Sequence, residues 1–154
     1  VRELEAQQVE AIGRGGSAAD LKAGDLCRLN GIGPQGGWVL GHEVFGWRQF
    51  RNRKQVGSFA GLTGTPYDSG ETLREQGISK AGSRRVRAAM IEMAWNWIRF
   101  QPGSALAKWF MENYGSGASR SRRKGIVALA RKLLVALWKY VEQGTTPEGA
   151  LFKA

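Results

Sequence analysis

From Ser83 onward the apolar residues Val86, Ala89, Met90, Met93, Ala94, Trp97 and Ile98 recur three and four positions apart. Only an α-helix gathers residues at that spacing onto one stripe, and the charged or polar Arg84, Arg85, Arg87, Glu92, Asn96 and Arg99 fall outside it. The same rule returns with Ile126, Val127, Ala130, Leu133, Leu134, Leu137, Trp138 and Val141. It predicts a second long helix from about Arg120 to Glu142, which at the helical rise is about 33 Å long. Between the two, Pro102 and Gly103 stop the first helix, Ser104 caps a shorter one running to Tyr114, and the stretch GSGAS separates that from the last. At 154 residues the chain fits one domain, and such a domain buries roughly 70% of the surface its unfolded chain exposes.

The first part of the chain is less regular. Val1, Leu4, Val9 and Ile12 read as the last turns of an amphipathic helix without a cap, broken by the glycines of GRGGSAAD. Ser17 or Asp20 can cap a short helix through Leu21, Leu26 and Leu29. Gly31-Ile32-Gly33-Pro34 then predicts a sharp turn between two helices, a helix-hairpin-helix-like pattern in which Ile32 plugs the core and Pro34 opens the second helix. Gly36, Gly37 and Gly41 weaken that second helix, since glycine costs about 1 kcal/mol relative to alanine in a helix interior. Trp47 to Leu62 places Phe50, Val56 and Phe59 at near-helical spacing beside Arg48, Arg51, Arg53 and Lys54, a short basic helix. Thr63 to Gly82 is too broken for a helix and too long for a tight turn; it reads as a long loop with room for a short β-hairpin around Ser69 and Ile78. The fold class is therefore mainly α, a compact helical domain with a helix-hairpin-helix-like G-I-G-P turn and a long serine-containing loop.

Charge narrows the function. Residues 1–47 hold four Lys/Arg against six Asp/Glu, whereas residues 48–154 hold nineteen against seven. A chain of net charge +10 whose excess sits in its C-terminal two-thirds carries the electrostatic footprint of a nucleic-acid partner, although a solvated basic surface would show the same totals. Cys27 and His42 stand alone in their types, so no intrachain disulfide and no Cys/His metal cluster can be assembled, and both read as structural. The aspartates are Asp20, Asp25 and Asp68, too few for an independent two-metal site. No apolar run approaches the length of a membrane span, and no basic stretch followed by an apolar one opens the chain, so the expectation is no membrane and an intracellular, cytoplasmic compartment.

Two helices are expected to open with cations, Arg84, Arg85 and Arg87 in one and Arg120, Arg122, Arg123 and Lys124 in the other. The macrodipole disfavours cations there, whereas helix N–H groups together with guanidinium forks make an anion site. Backbone N–H groups at Gly31, Ile32 and Gly33 could form a phosphate clamp. Ser69 lies in TPYDSG and is followed by Arg74, Lys80, Arg84, Arg85 and Arg87. No G-x-S-x-G elbow and no matching acid accompanies it, which argues against an acyl-transfer triad. An arginine-rich setting suits attack on a phosphodiester, where negative charge gathers on nonbridging oxygens; a Ser-Gly pair in a loop is also an ordinary turn.

In order along the chain, LNGIGPQGG, QFRNRKQVGSFAGLTGTPYDSG, GISKAGSRRVRAAMIEMAW and the long helix around RKLLVALW resemble the C-terminal domain of DEDD-type insertion-sequence transposases, which combine a RuvC-like N-terminal half with a catalytic serine. The resemblance covers about residues 23–140. Ser83 stands where an Asn is often found, and Gly36-Gly37 replaces bulkier small residues. It implies that Ser69 attacks a DNA phosphate to give a covalent protein–DNA intermediate. It also implies that Mg²⁺ is held by a RuvC-like domain rather than by this chain, with no metal ligand here. The implied partners are DNA, a structured guide RNA in some members and further copies in a homo-oligomer.

On this reading residues 1–16 are the end of a connecting, coiled-coil-like helix and its linker, 17–143 the transposase domain and 144–154 a loose tail. The chain alone is expected to be inactive or nearly so. The competing readings are a non-enzymatic helical DNA- or RNA-binding module and an RNA-guided assembly domain whose long helices drive oligomerisation.

Overall fold

In the computed structural model, which describes residues 2–62 and 80–154, helices account for almost all the regular structure. They are α1 (Arg2–Arg14), α2 (Ala18–Cys27), α3 (Pro34–Leu40), α4 (Arg53–Phe59), α5 (Lys80–Phe100), α6 (Ala105–Tyr114) and α7 (Ser119–Gln143). A turn of π-helix, Gly41–Phe45, continues α3. The expected β-hairpin around Ser69 and Ile78 lies outside the described residues, and among those residues there is no strand beyond an isolated bridge between Leu29 and Phe152. No helix among them is long and apolar enough to cross a membrane.

The caps sit where local chemistry places them. Ser17 Oγ accepts from the Asp20 N–H at 3.1 Å and starts α2. Pro34 occupies the first turn of α3 behind an extended Gly33, a position where its missing N–H costs no intrahelical bond. Ser104 does more than cap α6. Its hydroxyl accepts from the Ala107 N–H at 3.2 Å and from Trp97 Nε1 at 3.0 Å while donating to Gln101 O at 2.7 Å. The buried indole of Trp97 thus has its partner, and the end of α5 is fastened to the start of α6.

α7 packs against α5, α6, α4 and α2. Its buried side carries Ile126, Leu129, Ala130, Leu133, Leu134, Leu137 and Tyr140, and α5 faces it with Val86, Met90, Met93, Ala94 and Trp97. Leu129 and Tyr140 join the stripe expected from periodicity, while Val127, Trp138 and Val141 lie at its half-buried margin.

The short basic helix expected within Trp47 to Leu62 forms over Arg53–Phe59, where Asn52 Oδ1 accepts from the Gln55 N–H at 3.0 Å and caps it. Arg48 lies before it, its guanidinium stacked between the Trp47 and Phe59 rings at 4.0 and 3.9 Å from their centroids. The glycines expected to weaken α3 have a packing purpose. A Cβ on Gly37 would stand 2.5 Å from Cys27 Sγ, and one on Gly41 would stand 2.7 Å from Ala19 O and 2.8 Å from Ala23 Cβ. Their bare Cα atoms let α3 and the π turn lie directly on α2.

The segment beyond Gly144, expected to be loose, is docked. After a left-handed Gly144 (φ 72°) ends α7, Glu148 O accepts from the Ala105 N–H at 3.0 Å, Leu151 O from the Asn30 N–H at 2.9 Å and Arg28 O from the Lys153 N–H at 2.8 Å. Backbone pairing, which composition does not reveal, returns the end of the chain to the turn after α2.

Candidate nucleic-acid interface

The Gly31-Ile32-Gly33 turn is built as expected in one respect and differently in another. Gly31 has φ 94°, a conformation in which a Cβ would also crowd Phe100 and Asn96. Ile32 is buried at 1% exposure and anchors the turn in the core. Its N–H, however, is already bonded to Leu29 O at 3.2 Å, which removes one of the three donors expected in a phosphate clamp. Its carbonyl accepts from Lys153 Nζ at 2.7 Å, so the docked C-terminal segment brings a cation to this turn.

Gly31 and Gly33 share a groove of about 770 Å³ with Arg85. Residues more than 50 positions apart in the chain are thereby brought to one surface, together with Glu5 and Glu92. Arg85 Nη1 also pairs with Glu43 Oε1 at 2.9 Å. The charges of this groove are mixed.

Arg84, Arg85 and Arg87 do not open their helix. α5 begins at Lys80, so these three exposed arginines lie beyond its first turn, where the macrodipole acts on them less than at the helix end. Ser69 and Arg74 lie outside the described residues. At α7 the expectation is closer to what is found. Ala118 precedes the helix without a side-chain cap, and Arg120, Arg122, Arg123 and Lys124 are all exposed in its opening turns. Arg122 reaches 6.0 Å from the centroid of Trp95 on α5.

A second groove, about 600 Å³, lies where α4, α7 and residues 145–148 meet. Arg53 and Lys54 come from α4; Arg131, Lys132 and Lys139 come from α7. Nothing in the linear pattern pairs these two sets, because each reads separately as the solvated side of an amphipathic helix. A spacing signal was nevertheless present: Arg131, Val135 and Lys139 repeat every four residues and share a face.

The lone histidine and the lone cysteine both make contacts within the fold. His42 Nε2 lies 2.8 Å from Asp20 Oδ1 and its ring stacks on Trp38 at 3.8 Å. Burial pushes the Cys27 thiol above its ordinary pKa, against a smaller opposing effect of Lys153. Among the described residues no three His, Cys, Asp or Glu side chains converge in a way that could hold a metal ion.

Residues 23–109, more than half of the chain, match the family described as Transposase IS116/IS110/IS902 family. The chain is 50% identical over 129 residues, 83% of its length, to a Sinorhizobium fredii protein that carries the name "Putative transposase y4rJ". It is 32% identical over 77 residues, 50% of its length, to a second one from the same organism, "Putative transposase y4qE". It spans 32% of the first relative and 20% of the second. No solved structure matches it.

Proposed function

The chain belongs to the IS116/IS110/IS902 transposase family, and from that premise we propose that it is the DNA-acting domain that supplies a serine nucleophile, Ser69, to the transposition reaction. The observation that carries this reading is that the matched span, residues 23–109, contains the whole TPYDSG block together with the basic run that follows it. Ser69 Oγ would attack a DNA phosphorus atom. The Oγ–P bond forms, the bond from phosphorus to one sugar oxygen breaks, and that oxygen leaves with a proton as a free hydroxyl. One phosphodiester replaces another, so the strand end is held on the protein and can be joined to a new hydroxyl by the reverse chemistry.

Negative charge on the nonbridging oxygens has to be met by donors in place before the reaction. Arg74, Lys80, Arg84, Arg85 and Arg87 are the sequence neighbours assigned to that task, and the exposed Arg120, Arg122, Arg123 and Lys124 to holding flanking DNA. The Mg²⁺ implied by the resemblance has no ligand set among the described residues. Its ligands would come from the remainder of a protein of which this chain matches about a third. Assembly as a homo-oligomer, and guidance by a structured RNA, belong to the same proposal.

The test is a denaturing-gel search for a covalent protein–DNA adduct, with the chain joined to its family's upstream domain, nicked element-end DNA, candidate terminal RNA and Mg²⁺. The expected adduct disappears in Ser69→Ala while DNA binding persists. An adduct retained in Ser69→Ala, or none at all despite salt-sensitive binding, overturns the nucleophile and leaves a binding module.

A further inference from the structure

The groove between α4 and α7 combines five cations, Arg53, Lys54, Arg131, Lys132 and Lys139, with one carboxylate, Glu148. None of the five forms an ion pair among the described residues. By contrast, the groove at the Gly31 turn is lined by two carboxylates and its arginine is paired. Like charges held on two packed helices repel one another, and an anionic partner lying between them removes that repulsion.

The geometry says which anion. Arg131 and Lys139 lie two helical turns apart on one face of α7, about 12 Å along its axis, so the positive charge forms a line rather than a point. Arg53 and Lys54 continue it across the groove from α4. Between them the floor is Gly57, Val135 and Ala136, and no aromatic ring lines the groove. Proteins that hold single strands combine a basic groove with rings on which bases stack; here there is charge without a stacking platform. Thr145 and Thr146 at the rim add hydroxyls of the kind that donate to phosphate oxygens.

We propose that this groove seats the sugar-phosphate backbone of duplex DNA, supplying affinity and orientation without reading sequence. The inference rests on the reading that the chain acts on DNA, but it does not use Ser69. α4 is the helix that precedes the serine-bearing segment in the chain.

The experiment measures binding of the whole chain to a 20-bp DNA duplex by fluorescence anisotropy from 50 to 200 mM salt. Arg131→Gln/Lys139→Gln is compared with Arg14→Gln/Arg99→Gln, which removes the same charge from outside the groove. Circular dichroism checks that each is folded. Loss of two phosphate contacts should lower the salt slope by about 1.8, so the wild type loses about tenfold more affinity than the groove variant across that salt range. Arg14→Gln/Arg99→Gln should keep the wild-type salt slope.

Equal slopes for the groove and control pairs overturn the groove while leaving the transposase reading intact. A wild-type chain with no salt-sensitive binding overturns both the groove and the DNA-acting reading. Single-stranded DNA or duplex RNA of the same sequence serve as further arms; if either binds more tightly through Arg131 and Lys139, the duplex DNA assignment fails.

Discussion

Gln101 connects three parts of the fold, and replacing it should uncouple them. The side chain is 1% exposed. Its Nε2 donates to Asn30 O and Leu151 O, both at 2.8 Å, and its Oε1 accepts from the Leu151 N–H at 2.8 Å. One amide thus ties the end of α5 to the turn after α2 and to the C-terminal segment. Gln101→Leu keeps similar volume but leaves Asn30 O and the Leu151 N–H without that partner, whereas Leu151 O retains its bond from the Asn30 N–H. At 1–3 kcal/mol for each group left unsatisfied, taken toward the low end because both bonds are part-buried, the loss should be about 3 kcal/mol. For a chain of this size that lowers Tm by about 6–12 °C.

Urea denaturation gives the free energy and a thermal scan gives the shift. The decisive comparison is the same substitution in a chain lacking residues 151–154, where only the bond to Asn30 O remains to be lost. There the cost should fall to about half, a coupling that a double-mutant cycle reads directly. Equal costs in both backgrounds, or a cost below about 1 kcal/mol in the whole chain, would refute the idea that Gln101 docks the C-terminal segment.

Two further outcomes follow from the packing. Gly41→Ala drives a methyl group against Ala19 O and Ala23 Cβ and should cost about 1–3 kcal/mol through overpacking, read by the same denaturation; an unchanged midpoint would mean that α2 and the π turn are not in contact there. Stability should also fall at alkaline pH. Burial raises the Cys27 thiol above 9.0 and the Tyr140 phenol above 10.0, with nearby cations opposing both shifts and Asp25 adding to that of Tyr140. The folded state therefore holds these protons more tightly, so their contribution is complete below the unfolded values and is lost as pH rises through the folded ones. Tyr140→Phe, which removes the O–H donated to Asp25 O at 2.8 Å, should flatten the loss above pH 10 in urea titrations; an unchanged profile would exclude Tyr140 as its source.

What was legible in the sequence was local. The stripes of α5 and α7, the Ser104 cap and the burial of Ile32 follow from spacing and from residue types within a few positions of one another. The docked C-terminal segment could not be read that way, because its bonds run between backbone atoms of Asn30, Leu151, Arg28 and Lys153, which every residue but proline offers. Nor could the value of Gly37 and Gly41: in isolation a helical glycine is a cost, and only the Ala19, Ala23 and Cys27 atoms of α2 across from them show what a side chain would strike.

The same limit governs the basic residues. Arg85 is close in sequence to the serine motif, yet its guanidinium is paired with Glu43 and borders a groove of mixed charge. Arg53 and Arg131 are far apart in the chain, yet they line one groove where positive charge dominates. Position relative to a motif nominates a nucleophile, because the motif and the reacting atom are the same few residues. It does not nominate the cations that hold DNA, because a phosphate backbone is contacted over several helical turns and by whichever elements the core brings alongside. The α4–α7 groove follows from that difference: it exists because α7 is packed against α4, and the charges it gathers are those that helical amphipathicity had already placed on their outer faces.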